Sequence, residues 1–158
     1  MSDYEFLHEA EDVWLVSDHR RPAEEVWAVL KSCGFTLHDD VFELERSGRV
    51  PMWQSSSAAS VSIFLGDTEV YDEDGEWDRV RLRHLLATLP ETEAETFIDA
   101  VRKVAELLRL PMVHRGDLVS TAELKTAFSR YANELRESIG APGAKDVRMF
   151  IESMYPRR

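Results

Sequence analysis

Cysteine and glycine are scarce in this chain of 158 residues, and their scarcity excludes several kinds of site. With one cysteine, Cys33, no disulfide can form within the chain, which is typical of proteins from a reducing compartment. The five histidines show no zinc-motif spacing. With only seven glycines, the chain contains neither G-x-x-x-x-G-K-[ST] nor G-x-G-x-x-G. The sequence therefore predicts no metal ion and no nucleotide cofactor.

Long apolar runs are also missing. No stretch approaches the ~18 consecutive apolar residues that indicate a transmembrane helix. The acidic start MSDYEFLHEAED lacks the basic-then-apolar layout of a signal peptide. Thirty acidic residues against nineteen basic ones give a formal net charge of −11, which repels nucleic acid and anionic membranes. We therefore expect a cytoplasmic protein that binds neither nucleic acid nor membrane.

Catalytic motifs are absent as well. The serine run Ser55 to Ser57 has no G-x-S-x-G frame around it. The triplet His38-Asp39-Asp40 has the residue types of an acid–base cluster. Its position, shortly after a helix that a glycine ends, is more typical of a polar turn that enters a strand. Scattered carboxylates leave an enzyme of unknown type open, but the missing signatures favour a non-enzymatic protein.

The clearest structural signal is the stretch Arg79–Leu110, which predicts a strand followed by a long helix. In its first part, apolar residues and His84 alternate with three arginines, which is the period of a strand. Thr88 and Glu91 then form a capping-box pattern, and Pro111 ends the helix. The apolar positions of this helix recur at helical spacing: Phe97, Ile98, Val101, Val104, Ala105 and Leu108. A strand that leads directly into an amphipathic helix predicts a helix lying on a sheet.

Shorter elements flank this stretch on both sides. The sequence predicts strands at Asp12–Ser17, Val41–Glu45 and Val61–Leu65, a helix from Pro22 to Gly34, and a helix that Ser120 and Glu123 open and Gly140 ends. Met112–Val119 is either one strand kinked at Gly116 or a small hairpin, and both interpretations stay open. A last helix carries Val147, Phe150, Ile151 and Met154.

This order of elements suits a sheet with helices on one face. We predict an α+β fold with a largely antiparallel sheet, a ferredoxin-like core and a C-terminal helical extension. One domain is expected at this length. Within it we expect an acidic N-terminal arm at 1–12, the α+β core at 13–120 and the C-terminal helices at 121–158.

The densest charge feature is the segment Asp67–Asp78, in which seven of twelve residues are acidic. An EF-hand does not fit, because Gly75 at position six puts Val70 at position one and Arg81 at position twelve, and neither ligates calcium. A solvated hairpin tip, a weak irregular cation site and a docking patch for a basic protein stay open. Aromatic residues within a charged rim are typical of interfaces. The candidate partner-binding residues here are Tyr71, Asp72, Glu73, Asp74, Glu76 and Trp77.

Two further features are candidates for binding. Trp53 lies in a long polar connection at 46–60, and its side chain either packs on the core or contacts a partner. We include it among the partner-binding residues. The three arginines of the strand predict either a cross-strand salt ladder with Glu43 and Glu45 or a surface that binds anions or carboxylates.

These observations favour a non-enzymatic, acidic protein-binding module of the bacterial cytoplasm. The hypothesis is an immunity or antitoxin-type protein that masks a basic partner, namely a toxin, which its charge helps it to find. A second hypothesis is a secretion-type chaperone that holds an effector segment. The order helix, three strands, helix from Pro22 to Leu110 resembles that family, which commonly continues with a hairpin and one helix. A third is an enzyme or small-ligand binder with a pocket beside the sheet. The oligomeric state is not predicted.

Overall fold

The computed structural model describes residues 10–45, 57–85 and 91–140. Within these residues the elements are β1 (Ala10–Pro22), α1 (Ala23–Ser32), β2 (Thr36–His38), β3 (Val41–Glu45), β4 (Ser57–Leu65), β5 (Thr68–Glu69), β6 (Glu76–Leu85), α2 (Glu91–Leu108), β7 (Met112–His114), β8 (Asp117–Val119) and α3 (Thr121–Gly140). The predictions for most of the N-terminal arm, Trp53, the Thr88 cap and the last helix lie outside the described residues.

The eight strands of the described residues form one sheet, and each pairing between neighbours is antiparallel. Its order is β2-β3-β4-β6-β1-β7-β8, and the short β5 pairs with the end of β4. The prediction of an α+β fold with a largely antiparallel sheet is confirmed. The ferredoxin-like order of the core stays a prediction.

The core lies between one face of this sheet and the helices. The alternation along β6 is as the sequence predicts, because Val80, Leu82 and His84 are all fully buried. α2 packs on β4 and β6, α1 packs on β1 and α2, and α3 packs on α2. The six apolar residues that predict α2 are all buried. Burying each large apolar side chain contributes roughly 1.5–3 kcal/mol to folding, so this layer supplies much of the stability.

Both α1 and α2 end in the same way although their sequences differ there. Gly34 follows α1 with φ 91°, and Arg109 follows α2 with φ 57°. In each case the amide of the residue after this left-handed residue donates to a carbonyl of the last turn, from Phe35 to Leu30 at 3.1 Å and from Leu110 to Ala105 at 3.0 Å. A left-handed residue thus ends each helix.

Two tight hairpins differ in how far the sequence predicts them. The sequence patterns did not predict the first, and they left the second as one of two alternatives. β2 was not predicted; it joins β3 through Asp39 and Asp40, which have φ 47° and 67°. Left-handed conformations at both central residues are those of a two-residue turn that matches the strand twist. The pair β7 and β8 is also a hairpin, turning at Arg115 and Gly116 with φ 52° and 83°. Met112–Val119 is therefore a small hairpin and not one kinked strand.

The start of α3 follows the predicted capping box. The Ser120 amide donates to Glu123 Oε1, and the Glu123 amide donates to Ser120 Oγ, both at 3.1 Å. Two amides that lack partners within the helix are satisfied in this reciprocal way.

Candidate functional site

One exposed aromatic residue, Tyr71, lies on the segment where β5 leads to β6. Tyr71 is 51% exposed, and it lines a small crevice together with Asp40, from the turn between β2 and β3, and Glu69. We call the carboxylates of this turn and of this segment the acidic rim, and its members are Asp39, Asp40, Glu69, Asp72, Glu73, Asp74 and Glu76. Five of the predicted partner-binding residues, Tyr71, Asp72, Glu73, Asp74 and Glu76, are exposed here.

Tyr71 is held in place by one of these carboxylates. Its hydroxyl donates to Glu69 Oε2 at 2.7 Å. This hydrogen bond raises the pKa of Tyr71, and burial and the negative charges of Glu69 and Asp40 act in the same direction. The phenol therefore stays neutral and oriented, with an exposed ring face beside negative charge.

The segment that carries Tyr71 is fixed at both ends by backbone hydrogen bonds. The Val70 amide donates to the Ile63 carbonyl at 2.7 Å, which extends the pairing of β5 with β4. At the other end, the Ala23 amide at the start of α1 donates to the Gly75 carbonyl at 2.8 Å. A Cβ at Gly75 would lie 3.1 Å from Val70 Cγ1, so glycine suits this close approach. The rim is thus presented in a preformed shape, which lowers the entropy cost of binding.

Trp77 lies apart from this surface, and the expectation that it is exposed is corrected. Its side chain is fully buried. The indole Nε1 donates to the Pro22 carbonyl at 3.0 Å, and the Arg21 guanidinium lies 5.0 Å from the ring centroid. The neighbouring Asp78 is also structural, because its Oδ1 accepts from the Gly66 amide at 2.9 Å. The acidic segment therefore divides into an exposed part and a part that supports the fold.

The arginines of β6 lie on the sheet face opposite the core, but their partners differ from those predicted. Arg83 donates through Nε and Nη2 to the two carboxylate oxygens of Asp12, at 2.7 and 3.1 Å. This bidentate contact raises the pKa of Arg83. Arg79 Nε lies 3.4 Å from Asp78 Oδ1, in the neighbouring residue of the same strand. Among the described residues, neither Glu43 nor Glu45 pairs with these arginines.

Arg81 sits between two aromatic rings on that face. Its guanidinium carbon lies 5.3 Å from the centroid of Phe64 and 5.9 Å from that of Trp14, and it donates to Ser62 Oγ at 3.3 Å. Trp14 is half-buried and pairs with Arg81 on the outer face. Cation–π contacts of this kind stabilise a surface arginine by about 0.5–1 kcal/mol.

His38 does not form the acid–base cluster that its neighbours suggested. Asp39 and Asp40 make the turn after it, and its Nε2 lies instead 3.2 Å from Glu45 Oε1. The polar-turn interpretation is the one that the structure supports. The link from His38 to Glu45 was missed because the sequence patterns did not predict β2, which places both side chains on one face of a hairpin.

Two other histidines are buried in the fold. His84 stacks on Phe97 at 4.6 Å and meets Phe128 edge-on at 5.6 Å, as a core histidine on an apolar strand face should. His114 Nε2 lies 2.7 Å from Glu11 Oε1, and this contact ties the β7–β8 hairpin to β1.

A cleft of about 480 Å³ opens where the pairing of β1 with β6 is irregular, between Val16 and Arg21. Most of its charged groups pair with one another. His19 Nδ1 lies 2.6 Å from Asp18, and this contact lowers the pKa of that carboxyl. Arg21 lies 2.7 Å from Glu25 and donates to the Leu108 carbonyl at 2.9 Å. The cleft is where a small ligand would fit under the third hypothesis, but His38 and its neighbours do not line it.

No protein-family model matches this chain, and no curated protein matches it. Among the described helices, none has the length and apolar character that crossing a membrane requires.

Proposed function

We propose that this protein is a non-enzymatic acidic binding module that masks a more basic protein partner. In its specific form, the proposal is an immunity or antitoxin-type protein that neutralises a toxin in the bacterial cytoplasm. The observation that carries it is the acidic rim, in which the exposed Tyr71 lies beside Glu69 and Asp40 on a segment that has fixed ends and carries further exposed carboxylates.

Each part of the rim has a role in such binding. Its charge, within a chain of net charge −11, accelerates encounter with a basic surface. Tyr71 offers a large contact area with two rotatable side-chain angles, and tyrosines of this kind are enriched at binding hot spots. Because backbone hydrogen bonds hold the segment at Val70 and Gly75, little order has to be gained on binding.

The test is a pull-down from native-source lysate at low and high salt, with two charge-reversed variants beside the wild type. In the rim variant, Asp72, Glu73 and Asp74 become Lys. In the control variant, the exposed α2 residues Glu95, Asp99 and Glu106 become Lys, which changes the net charge equally at another place. We expect the wild type and the control to retain one basic protein in stoichiometric amount, and the rim variant to lose it.

Association rates of the purified pair then measure the contribution of the rim. Charge reversal there should slow association about tenfold or more at low salt, and the difference should shrink as salt screens the charges. Equal rates for the rim and control variants would exclude the rim as the docking surface. Failure to retain any stoichiometric partner at either salt would contradict the masking function itself.

A secretion-type chaperone is the second candidate, and one observation favours it. Such chaperones commonly continue with a hairpin and one helix after the second helix, and the hairpin β7–β8 and the helix α3 follow α2 in this order. The sequence predicts one more helix after α3, outside the described residues, and there it departs from that pattern. The match is partial, because β2, β3, β4 and β6 lie between α1 and α2 together with the short β5, where the resemblance has three strands.

The stoichiometry and the state of the partner separate the two candidates. Light scattering after size exclusion should give one chain of this protein bound to one folded domain if it is an immunity-type protein. A dimer that protects an otherwise protease-sensitive segment would favour the chaperone. That result would contradict the proposal that this protein masks a folded basic domain, but it would not contradict the proposal that it binds a protein.

A further inference from the structure

Three potential metal ligands converge on the β2–β3 hairpin, at the edge of the sheet. A ring nitrogen of His38 and carboxylate oxygens of Glu43 and Glu45 all lie within 4.8 Å of one another. His38 lies opposite Val41 in the hairpin, and Glu43 and Glu45 follow Val41 at intervals of two, so all three side chains leave the same face. The two-residue turn at Asp39 and Asp40 fixes this register.

Within residues 10–45, 57–85 and 91–140, the charges at this place are not balanced. Two carboxylates face one imidazole, and the ion pair of Glu45 with His38 leaves Glu43 without an ion-pair partner among the described residues. Across the sheet, Glu43 is paired with Ser60 of β4, and Ser60 is paired with Arg83 of β6. Arg83 is the nearest arginine along this row of the sheet. Arg83 donates through Nε and Nη2 to Asp12, so it is already engaged with another carboxylate. A cation at the hairpin would therefore compensate a local excess of negative charge.

The geometry points to a divalent transition metal ion, of the Zn²⁺ type, bound by His38, Glu43 and Glu45. We infer this class because an imidazole nitrogen with two carboxylates is a donor set that zinc accepts, whereas Mg²⁺ favours oxygen ligands alone. In a tetrahedral site with bonds of about 2.0–2.2 Å, neighbouring donor atoms are about 3.4 Å apart. His38 Nε2 and Glu45 Oε1 already lie 3.2 Å apart. Because both side chains are half-exposed, a small rotation of the two carboxylates brings all three donor atoms to the distances of a tetrahedral site. Three protein ligands leave one position for water.

The probe for this site is Co²⁺, whose visible absorption reports coordination by nitrogen and oxygen. The full chain is titrated with Co²⁺, and bound Co²⁺ is then displaced with Zn²⁺. The wild type is expected to bind one ion at this site with a dissociation constant below about 100 µM. His38→Ala and Glu45→Gln should each weaken that binding at least about tenfold. Mg²⁺ should not displace the ion.

The matched control is His19→Ala. His19 forms a similar exposed pair with Asp18, at 2.6 Å, but no third ligand joins it among the described residues. This variant should bind Co²⁺ as the wild type does. Circular dichroism and the melting temperature establish that each variant is folded, and Zn²⁺ should raise the melting temperature of the wild type but not of His38→Ala.

Two outcomes would overturn the inference. One is equal affinity for Co²⁺ in the wild type and in folded His38→Ala. The other is the absence of any saturable binding in the wild type. A second readout does not depend on a variant: on addition of Zn²⁺, the ring resonances of His38 should shift in the NMR spectrum while those of His19 stay unchanged. The inference does not rest on the proposed masking function.

Discussion

Tyr71 and Trp77 lie six residues apart in the same acidic segment, and the fold treats them in opposite ways. The ring of Tyr71 is 51% exposed, whereas Trp77 has no exposed surface. Both are aromatic residues among carboxylates, so composition alone does not distinguish them. The difference comes from their neighbours: Tyr71 precedes β6 and lies at the rim, and Trp77 is the second residue of β6 and pairs with Arg21 of β1.

This pairing explains why alternation along β6 fails for Trp77. Strict alternation would put it on the face that carries Arg79 and Arg81, opposite the core. The pairing between β1 and β6 is irregular after Val16, and it resumes with Arg21 opposite Trp77. Arg21 then covers the indole, and the Pro22 carbonyl accepts its hydrogen bond. An irregularity in one strand therefore decides the burial of a residue in another.

The largest expected effect separates the two aromatic residues by stability. Trp77→Ala should lower the free energy of unfolding by about 3–5 kcal/mol, because it leaves a cavity in the core. Tyr71→Ala should change it by no more than about 0.5 kcal/mol, as is usual for exposed side chains. Denaturant unfolding followed by circular dichroism measures both. If the two variants lose similar amounts of unfolding free energy, the difference in burial between Trp77 and Tyr71 does not determine their contributions to stability.

A smaller effect is expected from the residue that covers Trp77. Arg21→Ala removes the contact with the indole and the hydrogen bond to the Leu108 carbonyl at the end of α2. We expect a loss of about 1–3 kcal/mol in the free energy of unfolding. Arg20→Ala is the control, because Arg20 is exposed and adjacent in sequence. If the two variants are equally stable, Arg21 does not stabilise the tryptophan or the helix end.

The smallest effect concerns the titration of Tyr71. Its pKa is raised, mainly by the hydrogen bond to Glu69, so the neutral phenol is favoured in the folded protein. The stabilisation is present below the ordinary tyrosine pKa of about 10 and is lost as pH rises through the higher folded value. The difference in absorbance at alkaline pH between wild type and Tyr71→Phe isolates this residue. In Glu69→Gln the midpoint should move down towards its ordinary value; an unchanged midpoint would contradict the hydrogen bond as the main cause.

Local patterns were sufficient wherever the partner of a residue is close in sequence. The helical spacing in α2 and the capping box at Ser120 and Glu123 depend on contacts within a few residues, and both predictions are confirmed. The alternation of Val80, Leu82 and His84 correctly gave the core face of β6. In each of these cases the period of the backbone is enough to place the side chain.

Contacts that are distant in sequence were not predictable in the same way. One of the two interpretations of the β6 arginines paired them with Glu43 and Glu45, but β1 lies next to β6 in the sheet and supplies Asp12 to Arg83. Likewise His114 meets Glu11, which is 103 residues away. From the sequence alone, any of several carboxylates could pair with a given arginine or histidine. The strand order must therefore be known before the partner can be identified.

The α+β class, the buried face of α2 and the concentration of acidic residues between Asp67 and Asp78 follow from the amino-acid pattern alone. Hydrophobic periodicity and charge are properties of the chain that persist in any fold. The packing of the strands was needed to show that Trp77 is buried in the core, that Tyr71 is exposed, and that His38 lies beside Glu43 and Glu45. These outcomes depend on strand register, because a shift of one residue moves a side chain to the opposite face of the sheet.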